Sequence, residues 1–575
     1  MKRYWKYIRP YIQYYILGPC FMMMEVVGDV LLPYMLAKII NQGIAERNVV
    51  YIIKIGAIMG FIAVIMAVGG VLGAWFASKA AMNFGADLRM DLFEKIQQFS
   101  FQNIDNFSTG SLITRLTNDI TQIQNMIMMT LRMCLRSPGI LIGAMVMAFV
   151  ISPKLAAIFI IVLPVLAVLI VVIMRRAFPQ FRTLQEKLDA LNSCIQEGLV
   201  GIRLIKSFVR GDYEEMRFEK RNQQLKEANL TAMKTMLLYT PLMTLALNIT
   251  TVVVVWSGGN MIVAGNMQVG DLTAFTNYIV QIMSSLTMLS IAFLNWARAI
   301  ASFRRVGEVL NEKIDLTDEN AKHKDRAVCE GSVEFQNVSF RYYKNSPEWV
   351  IENISFKLEA GKTLGIIGST GSGKSTLVSM IPRLYDTDEG TVLVDGINVR
   401  DYGLKPLREG IGMVLQNNTL FSGSITENLK WGDEHADEKA IRKAAQNAQA
   451  AGFIDSFKDG YRTRLEQSGN NVSGGQKQRL CIARALLKCP KILILDDSTS
   501  AVDTATERAI REALHSEYKD MTKIIIAQRI RSVMDADEIL VLDNGKTAGF
   551  GTHEQLLADC PVYREIYDVQ NGREE

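Results

Sequence analysis

Gly-Ser-Thr-Gly-Ser-Gly-Lys-Ser-Thr, residues 368–376, follows the apolar run Leu364 to Ile367 and has the spacing of a phosphate-binding loop. Its glycines let backbone N–H groups curl around a phosphate, and the helix that follows presents its positive N-terminus to the same anion. Lys374 supplies a point charge to the terminal phosphates, and the Ser375 hydroxyl suits Mg²⁺. A phosphate site is therefore predicted at Gly368, Ser369, Thr370, Gly371, Ser372, Gly373, Lys374, Ser375 and Thr376.

A second part of this site is expected further along the chain. The apolar run Ile492 to Leu495 is typical of a buried strand and ends in Asp496, where a carboxylate that holds Mg²⁺ would emerge beside the loop. Between the two segments, Ser-Gly-Gly-Gln at 473–476 opens a helical stretch. It is either another phosphate-facing helix start or an ordinary capped helix. One nucleotide does not easily need both devices.

The N-terminal half has a different character, because about the first 300 residues hold nearly all of the long apolar runs. Six runs are long enough to cross about 30 Å of hydrocarbon as helices that rise about 1.5 Å per residue. They are Tyr11 to Ile40, Val49 to Ala77, Met133 to Ile151, Leu155 to Met174, Met236 to Val263 and Leu272 to Trp296.

The distribution of charge predicts the orientation of these spans. The three short connections carry almost no Lys or Arg, whereas Lys2, Arg3, Lys6, Arg175 and Arg176 flank the opposite ends. The positive-inside rule therefore predicts a multi-pass protein of the cell membrane with both termini, and the phosphate-binding part, in the cytoplasm.

Two of the cytoplasmic connections are unusually long. Lys79 to Arg132 and Arg175 to Thr235 are each about 55 to 60 residues of amphipathic helical pattern, far above ordinary loops. Each is predicted to be a helical hairpin whose tip contacts the soluble part of the chain. Asn, Asp, Ser and Gly interrupt the pattern at Phe101 to Thr109 and at Val209 to Glu215, so the tips are predicted there.

Charged residues also lie inside the first predicted span. Glu25 and Asp29 are four residues apart and share one helix face, in a region where charged groups are expensive. They either bind a cationic substrate or a proton, or they face a water-filled cavity and hydrogen-bond to neighbouring helices. Arg132 and Arg136 are expected near the cytoplasmic end of the third span, where long side chains reach water.

Composition excludes several classes of protein. The 575 residues are 49% hydrophobic and 21% charged, which excludes a disordered chain. The 63 basic and 59 acidic residues leave a net charge of +4, which does not point to nucleic acid as a partner. Seven cysteines without CxxC spacing and four dispersed histidines predict reduced thiols and no structural metal.

The order of the motifs resembles an ATP-binding cassette. The phosphate loop is followed by Gln416, then by Ser-Gly-Gly-Gln at 473–476, by the apolar run with Asp496, and by Ser-Ala-Val-Asp at 500–503. With six spans and two long hairpins before it, nearly the whole chain resembles a bacterial half-size ABC exporter of the type IV fold.

This resemblance implies a fold and a domain organisation. The expected fold is an all-α transmembrane domain of six helices with long cytoplasmic extensions, plus an α/β P-loop ABC nucleotide-binding domain. We place the transmembrane domain at residues 1–310 and the ATP-binding domain at 328–575. The polar stretch 311–327 is the expected linker between them.

The resemblance also implies ATP and Mg²⁺ as ligands and two chains whose cassettes pair head to tail. Each ATP would lie between the phosphate loop of one chain and the Ser-Gly-Gly-Gln of the other. Carried over by motif, Tyr342 stacks on adenine, Ser375 and Gln416 contact Mg²⁺, and Asp496 holds Mg²⁺ through water. The other residues that the resemblance assigns to nucleotide binding are Ser473, Gly474, Gly475, Gln476 and Asp503.

Two residues of the predicted catalytic site depart from the family pattern. The family usually has Glu as the general base where this chain has Asp497, and a displacement near 1 Å costs about 10²-fold in rate. Gln528 stands where the family has a histidine, and an amide neither titrates nor carries the imidazole charge. Gln467 is a third difference, since many relatives have Glu there.

Together the departures favour the degenerate-site subunit of a heterodimeric exporter. Its own site would bind ATP and hydrolyse it weakly, while its Ser-Gly-Gly-Gln completes the hydrolytic site of a different chain that has the catalytic Glu. The resemblance implies multidrug-type or lipid-like amphipathic cargo, moved out of the cytoplasm. The alternatives are a homodimeric exporter, a siderophore-type importer with an exporter fold, and an ATP-gated regulatory membrane subunit.

Overall fold

The computed structural model describes residues 2–344, 346–498 and 502–570, which form two compact units. The first unit comprises the described residues up to Gln97 together with Gly110–Asn311. The second comprises Gln98–Thr109 and the described residues from Glu312 onward. The short segment Gln98–Thr109 therefore packs with the C-terminal part of the chain, although it lies within the N-terminal half of the sequence.

The regular secondary structure described in the N-terminal half consists of helices joined by short turns and loops. Its helices are α1 (Trp5–Ile8), α2 (Ile12–Lys38), α3 (Val49–Gln97), α4 (Phe101–Asp105), α5 (Thr109–Thr114), α6 (Ile120–Met133), α7 (Arg136–Ile151), α8 (Pro153–Val200), α9 (Ile202–Ser207), α10 (Gly211–Leu237), α11 (Tyr239–Val263) and α12 (Val269–Asn311). Single π-helical stretches at Ile39–Ile44 and Arg115–Asp119 extend α2 and join α5 to α6.

Five helical segments in the described part of the chain are long and apolar enough to cross a membrane. They are Trp5–Ile44, Val49–Gln97, Thr109–Ile151, Pro153–Val200 and Gly211–Val263. They carry five of the six predicted spans, and the sixth, Leu272 to Trp296, lies within α12. The predicted helical transmembrane fold class is confirmed.

Helices α2 and α3 approach each other closely because small residues face one another. A Cβ added to Gly73 would lie 3.1 Å from the carbonyl oxygen of Gly18 and 2.4 Å from the Met22 side chain. Packing through small residues is the usual basis of helix association in lipid. Large apolar side chains such as Phe61 and Ile161 are 67% and 70% exposed, as expected of a surface that faces lipid.

The charged residues of the first span are paired across helices. Arg136, the first residue of α7, places Nη2 2.8 Å from Glu25 Oε1 and 3.4 Å from Asp29 Oδ2 on α2. Of the two interpretations of these carboxylates, hydrogen bonding to a neighbouring helix is what the structure shows. Arg136 begins α7, and the two carboxylates are its ion-pair partners within the protein.

The first hairpin tip lies where the sequence predicts it. Helix α4 begins with a capping box, in which Ser100 and Asn103 hydrogen-bond to each other. Near the end of this helix, Asp105 Oδ2 accepts a hydrogen bond of 3.0 Å from the Tyr385 hydroxyl. Tyr385 belongs to the same compact unit as α4. The prediction that this tip contacts the soluble part of the chain is confirmed.

The second hairpin tip lies earlier than predicted. Helix α10 begins at Gly211, so the predicted segment Val209 to Glu215 is mostly helix. The acidic residues Asp212 and Glu214, which were read as an interruption, occupy the first turn of α10, where they favour the helix N-terminus. The tip is instead formed by α9 and the residues around it, and its Val209 side chain is 88% exposed.

The C-terminal part is an α/β domain with twelve strands and nine helices among its described residues. The strands are β1 (Val333–Phe340), β2 (Ile351–Leu358), β3 (Thr363–Gly368), β4 (Glu389–Val394), β5 (Ile397–Asn398), β6 (Ile411–Val414), β7 (Gly423–Ser424), β8 (Arg464–Leu465), β9 (Ile492–Asp496), β10 (Thr522–Ile526), β11 (Glu538–Asp543) and β12 (Lys546–Gly551). The helices are α13 (Lys374–Ser379), α14 (Leu404–Glu409), α15 (Ile425–Leu429), α16 (Glu438–Asn447), α17 (Ala451–Ser456), α18 (Gly474–Leu487), α19 (Thr504–Glu517), α20 (His553–Asp559) and α21 (Pro561–Gln570).

The main sheet has six strands in the order β12-β11-β3-β10-β9-β6, and only β12 runs antiparallel to its neighbour. A second sheet of order β2-β1-β4-β5 is antiparallel, and β7 pairs with β8. All five residues of β9 are buried, as expected of a central parallel strand covered on both faces. The carboxyl ends of β3, β10 and β9 lie side by side at one edge of the sheet.

The ion cluster of the first unit predicts a measurable loss of stability. Arg136→Gln leaves Glu25 and Asp29 without a cationic partner, so we expect the free energy of unfolding to fall by about 1–3 kcal/mol. This loss of stability is smaller than the loss expected on breaking a fully buried ion pair, because the three side chains are partly exposed. Thermal unfolding of the detergent-solubilised protein measures it.

The matched control is Arg182→Gln, because Arg182 is 80% exposed and pairs only with its helix neighbour Glu186 among the described ion pairs. This control is expected to unfold at the wild-type temperature. Adding Glu25→Gln and Asp29→Asn to Arg136→Gln removes the unpaired charges and should restore most of the lost stability. An Arg136→Gln protein as stable as the wild type would contradict the account.

Candidate nucleotide-binding site

The loop between β3 and α13 is shaped by glycine. Gly371 and Gly373 have φ angles of +86° and +88°, which side-chain-bearing residues rarely adopt. A Cβ on Gly373 would also lie 2.6 Å from Ile351 Cγ2 and 2.9 Å from the Val350 carbonyl oxygen. The backbone therefore curls back before α13 begins at Lys374, as a phosphate-binding loop requires.

Lys374 bends over this loop. Its Nζ donates to the carbonyl oxygens of Gly368, at 2.8 Å, and Ser369, at 2.7 Å. Burial lowers the pKa of Lys374, while the carboxylates of Asp497 and Asp496 oppose the shift. The ammonium is thus held at the mouth of the loop, beside two negative groups.

Asp496 ends β9 and faces the first turn of α13. Its side chain is nearly fully buried, and the Ser375 hydroxyl donates to its Oδ1 at 2.9 Å. Burial raises the pKa of Asp496, and the neighbouring Asp497 raises it further, against the lowering effects of Ser375 and Lys374. A hydroxyl and a carboxylate oxygen in contact are hard oxygen ligands that fit Mg²⁺.

Asp497 and Gln528 meet because their strands are neighbours. In the parallel pair β9 and β10, Asp496 stands opposite Ile526, so the residues that follow leave the sheet together. The Gln528 Nε2 donates to Asp497 Oδ2 at 2.8 Å, and Gln416 also hydrogen-bonds to this carboxylate. Burial raises the pKa of Asp497, whereas the bond from Gln528 and the charge of Lys374 lower it.

Tyr342 lies on the other side of the loop. Its hydroxyl is 2.8 Å from Thr376 Oγ1, and its ring packs edge-on against Phe340 with 5.1 Å between the centroids. The ring is about one-third exposed, so one face can receive a planar ligand.

Most of the predicted site residues surround one cavity of about 330 Å³. Its lining consists of Tyr342, Val350, Thr370, Gly371, Ser372, Gly373, Lys374, Ser375, Thr376, Gln416, Asp496, Asp497, Ile526 and Gln528. Gly368 and Ser369 contribute through the carbonyl groups that hold Lys374.

The remaining predicted residues lie elsewhere, outside the lining described for this cavity. Ser473 caps α18 through a reciprocal pair of bonds with Gln476, and Ser473 and Gly474 are exposed. Asp503 caps α19 by accepting from the Thr506 N–H at 3.0 Å. Ser500 and Ala501, which belong to the 500–503 motif, lie outside the described residues.

The domains match two known protein families. Residues 15–286 match the family described as the ABC transporter transmembrane region, and residues 351–500 match the family described as ABC transporter. The chain belongs to the ABC transporter family. Its two domain types on one chain make it a half-size ABC exporter, and this confirms the resemblance that its motifs indicate.

Relatives of this ABC exporter extend over its full length. It is 39% identical to the uncharacterized ABC transporter ATP-binding protein YfiB of Bacillus subtilis, with 100% of this chain and 99% of that protein covered. It is 36% identical to the uncharacterized ABC transporter ATP-binding protein MT1311 of Mycobacterium tuberculosis, covering 98% and 97%. It is also 33% identical to YgaD of Bacillus subtilis, provisionally named a multidrug export ATP-binding/permease protein, covering 99% of each.

A solved structure shares its fold. The structure of a bacterial Atm1-family ABC exporter with ATP bound matches with a TM-score of 0.81 and 24% identity, over 98% of each chain. The ABC exporter is therefore an ATPase coupled to transport, with the type IV exporter fold and a multi-pass helical membrane domain. As a half-size exporter, it pairs with another ABC half.

Sequence reasoning missed two features of the exporter. It assigned Gln416 to Mg²⁺ but did not foresee its bond to Asp497. It also missed the contact of Tyr385 with Asp105, because a pair that is 280 residues apart leaves no local pattern.

The buried carboxylate of Asp496 gives a testable trade-off. Because its pKa is raised in the fold, ionisation at neutral pH works against folding, and this penalty declines as pH falls through the raised value toward the ordinary pKa of aspartate. Asp496→Asn should therefore raise the thermal unfolding midpoint at pH 7 without nucleotide, with a gain that shrinks toward pH 4. The same variant should lose most of the extra stability that wild type gains from Mg²⁺ and ATP.

Thermal unfolding scans between pH 4 and pH 7 measure both effects. Asp459→Asn is the control, since Asp459 is exposed and lies on another surface of the domain. An Asp496→Asn protein that is less stable at pH 7, or that keeps the full stabilisation by Mg²⁺ and ATP, would contradict this description of the site.

Proposed function

We propose that this chain is the slowly hydrolysing half of a heterodimeric ABC exporter that moves amphipathic, drug-like or lipid-like compounds out of the cytoplasm. The observation that carries the proposal is the 2.8 Å hydrogen bond from Gln528 to Asp497 at the place of the general base.

Two features weaken Asp497 as a general base, namely the hydrogen bonds on its carboxylate and its short side chain. A general base must offer a free lone pair within about 2.6–3.2 Å of the proton it removes. Here the Gln528 amide donates to Oδ2, and Gln416 holds the same carboxylate. The aspartate is also one methylene shorter than the glutamate usual in the family. Gln528 itself cannot titrate, so it cannot take over the proton.

Binding of ATP does not depend on this base. Lys374 and the loop glycines would hold the phosphates, and Tyr342 offers a ring to the adenine. Ser375 and Asp496 would hold Mg²⁺, with Gln416 nearby. When bound, Mg²⁺ neutralises charge on the terminal phosphates. The site is thus equipped to retain ATP and poorly equipped to hydrolyse it.

The Ser-Gly-Gly-Gln segment supports the need for a second chain. It starts the 14-residue helix α18, whose first N–H groups and positive dipole end favour an anion. Its exposed Ser473 and Gly474 are outside the cavity lining, so we assign them, with Gly475, Gln476 and Asp503, to an ATP held by the partner.

Two exposed apolar surfaces support the same conclusion. On the second hairpin tip, Leu204, Phe208 and Val209 are 61%, 69% and 88% exposed. On the ATP-binding domain, Phe421 and Trp431 stack at 4.3 Å and are 44% and 65% exposed. Exposed apolar patches mark interaction sites, so we assign both to contacts with the partner chain.

The nature of the cargo is supported by a methionine-rich pocket. A cavity of about 190 Å³ on α6 is lined by four methionines and three polar residues, namely Met126, Met128, Met129, Met133, Gln122, Asn125 and Arg132. Flexible thioether side chains adapt to apolar ligands of different shapes. YgaD, named for multidrug export, is a relative. Cytoplasmic termini, from the positive-inside rule, put the ATP site on the cytoplasmic side.

The ATPase activity of the purified chain in lipid tests the heterodimer. Alone, the chain should be nearly inactive. Paired with an ABC half that carries the catalytic Glu, it should gain about tenfold or more in rate. Replacing the partner's catalytic Glu with Gln should abolish turnover by the pair.

The double variant Asp497→Glu with Gln528→His tests the degenerate site. It restores base length and a titratable partner, so we expect hydrolysis by the chain alone to rise about tenfold or more. Asp459→Glu, the same change at an exposed site, should leave the rate unchanged. A wild-type chain that is vigorously active alone, with cargo-stimulated turnover, would instead establish a homodimeric exporter. Ion conductance without cargo-stimulated turnover would favour a gated channel.

A further inference from the structure

Four aromatic rings connect the proposed adenine site to the first hairpin tip. The rings of Tyr342 and Tyr385 meet edge to face, with 5.4 Å between centroids and 84° between planes. The Phe101 ring of α4 lies 6.0 Å beyond Tyr385. Phe340, at the end of β1, backs both tyrosines at 5.1 and 5.5 Å. All four rings belong to one compact unit.

Both tyrosine hydroxyls are engaged at the ends of this row. Tyr342 bonds to Thr376 in the first turn after the phosphate loop, at 2.8 Å. The Tyr385 hydroxyl donates to Asp105 Oδ2 on the hairpin tip, at 3.0 Å. Burial, together with the Asp105 carboxylate, raises the pKa of Tyr385. Its hydroxyl therefore remains a donor across the physiological pH range.

Hydrogen bonds tie the chain around Tyr385 within the ATP-binding domain. Arg383 Nε donates to Asp386 Oδ1 at 2.8 Å, and Arg408 donates to the carbonyl oxygens of Pro382 and Arg383. Phe340 is nearly fully buried, so its ring has little room to move. A change in the plane of the Tyr342 ring would therefore act on the Tyr385 ring, with which it is in edge-to-face contact.

The hairpin tip is held at a second point. Asn103 Nδ2 donates to the Lys313 carbonyl oxygen at 2.9 Å, in the segment that follows α12. Asp105 lies two residues further along the same short helix. The position of α4 is thus set by the chain after α12 on one side and by Tyr385 on the other.

We propose that Tyr385 is a positioning residue that reports the base of a bound purine nucleotide to the first hairpin tip. The inference rests on the proposed placement of adenine on Tyr342. A base stacked there fixes the Tyr342 ring, the edge-to-face contact fixes Tyr385, and the hydroxyl fixes Asp105. A polyphosphate without a base contacts the loop, meets the row only at the Tyr342 hydroxyl through Thr376, and leaves the Tyr342 ring uncovered. The tip therefore responds to a nucleotide and not to a polyphosphate without a base.

Hydrogen exchange of residues 98–109 tests the proposal on the full chain in lipid, with Mg²⁺ and either ATP or inorganic tripolyphosphate. ATP should slow exchange of this segment, and tripolyphosphate should not. Tyr385→Phe keeps the ring and removes the hydroxyl, so the ATP-induced protection should fall about fivefold while the dissociation constant for ATP changes less than about twofold. Asp105→Asn should act in the same direction.

Tyr343→Phe is the matched control, because Tyr343 is 75% exposed and adjacent to Tyr342. It should respond to ATP as the wild type does, and all three variants should keep the wild-type unfolding temperature within a few degrees.

Three results would overturn the inference while leaving ATP binding intact. They are unchanged protection in Tyr385→Phe, equal protection by tripolyphosphate, and a large loss of ATP affinity in Tyr385→Phe, which would place Tyr385 in binding instead of coupling. Failure of the wild-type chain to bind ATP would contradict the proposed function itself, so the two failures are distinguishable.

Discussion

The parallel pairing of β3, β10 and β9 is the constraint on which the rest of the nucleotide site depends. Its register sets Ile526 opposite both Ile366 and Asp496, so three chain segments leave the sheet at the same edge. The phosphate loop follows β3. Asp496 is the last residue of β9 and Asp497 comes directly after it, while Gln528 lies two residues after the end of β10. Because these strands are buried and apolar, a shift in their register would cost much free energy. The register therefore also fixes the relative positions of the residues that follow the strands. The bond between Gln528 and Asp497 is a consequence of this register.

A short segment from the N-terminal half of the sequence packs with the ATP-binding domain. Segment Gln98–Thr109 packs with the ATP-binding part, where Asp105 meets Tyr385 and Asn103 meets the chain after α12. Transport requires that nucleotide binding bias a membrane domain with two arrangements, and such a bias needs contacts that differ between states. The aromatic row from Tyr342 to Phe101 offers a short route for this bias within one chain. On the membrane side, α2 and α3 pack through glycines, whereas α2 meets α7 through the polar cluster around Arg136.

Local patterns were enough to predict much of this molecule. The phosphate loop, the strand that ends at Asp496 and the helical membrane spans each have a recognisable pattern within a short stretch of sequence. These local patterns were sufficient to predict the fold class. Pairings between distant segments were not predictable in this way. Nothing near Arg136 points to Glu25, which is 111 residues away, and nothing near Tyr385 points to Asp105. The second hairpin tip was misplaced because Asp212 and Glu214 are helix-starting residues as well as typical loop residues. The roles of the site residues toward ATP and Mg²⁺, including those of Tyr342, Gln416 and Asp503, remain predictions.

The central claim is that this chain retains ATP at its own site while its partner turns over. The most direct test is the chemical state of the nucleotide on each chain after one round of turnover. The purified pair would be loaded with a photoreactive ATP analogue and Mg²⁺, allowed to turn over, crosslinked by light, and separated into its two chains. The account predicts intact triphosphate on this chain and diphosphate on the partner. Diphosphate appearing on both chains at the same rate would contradict it.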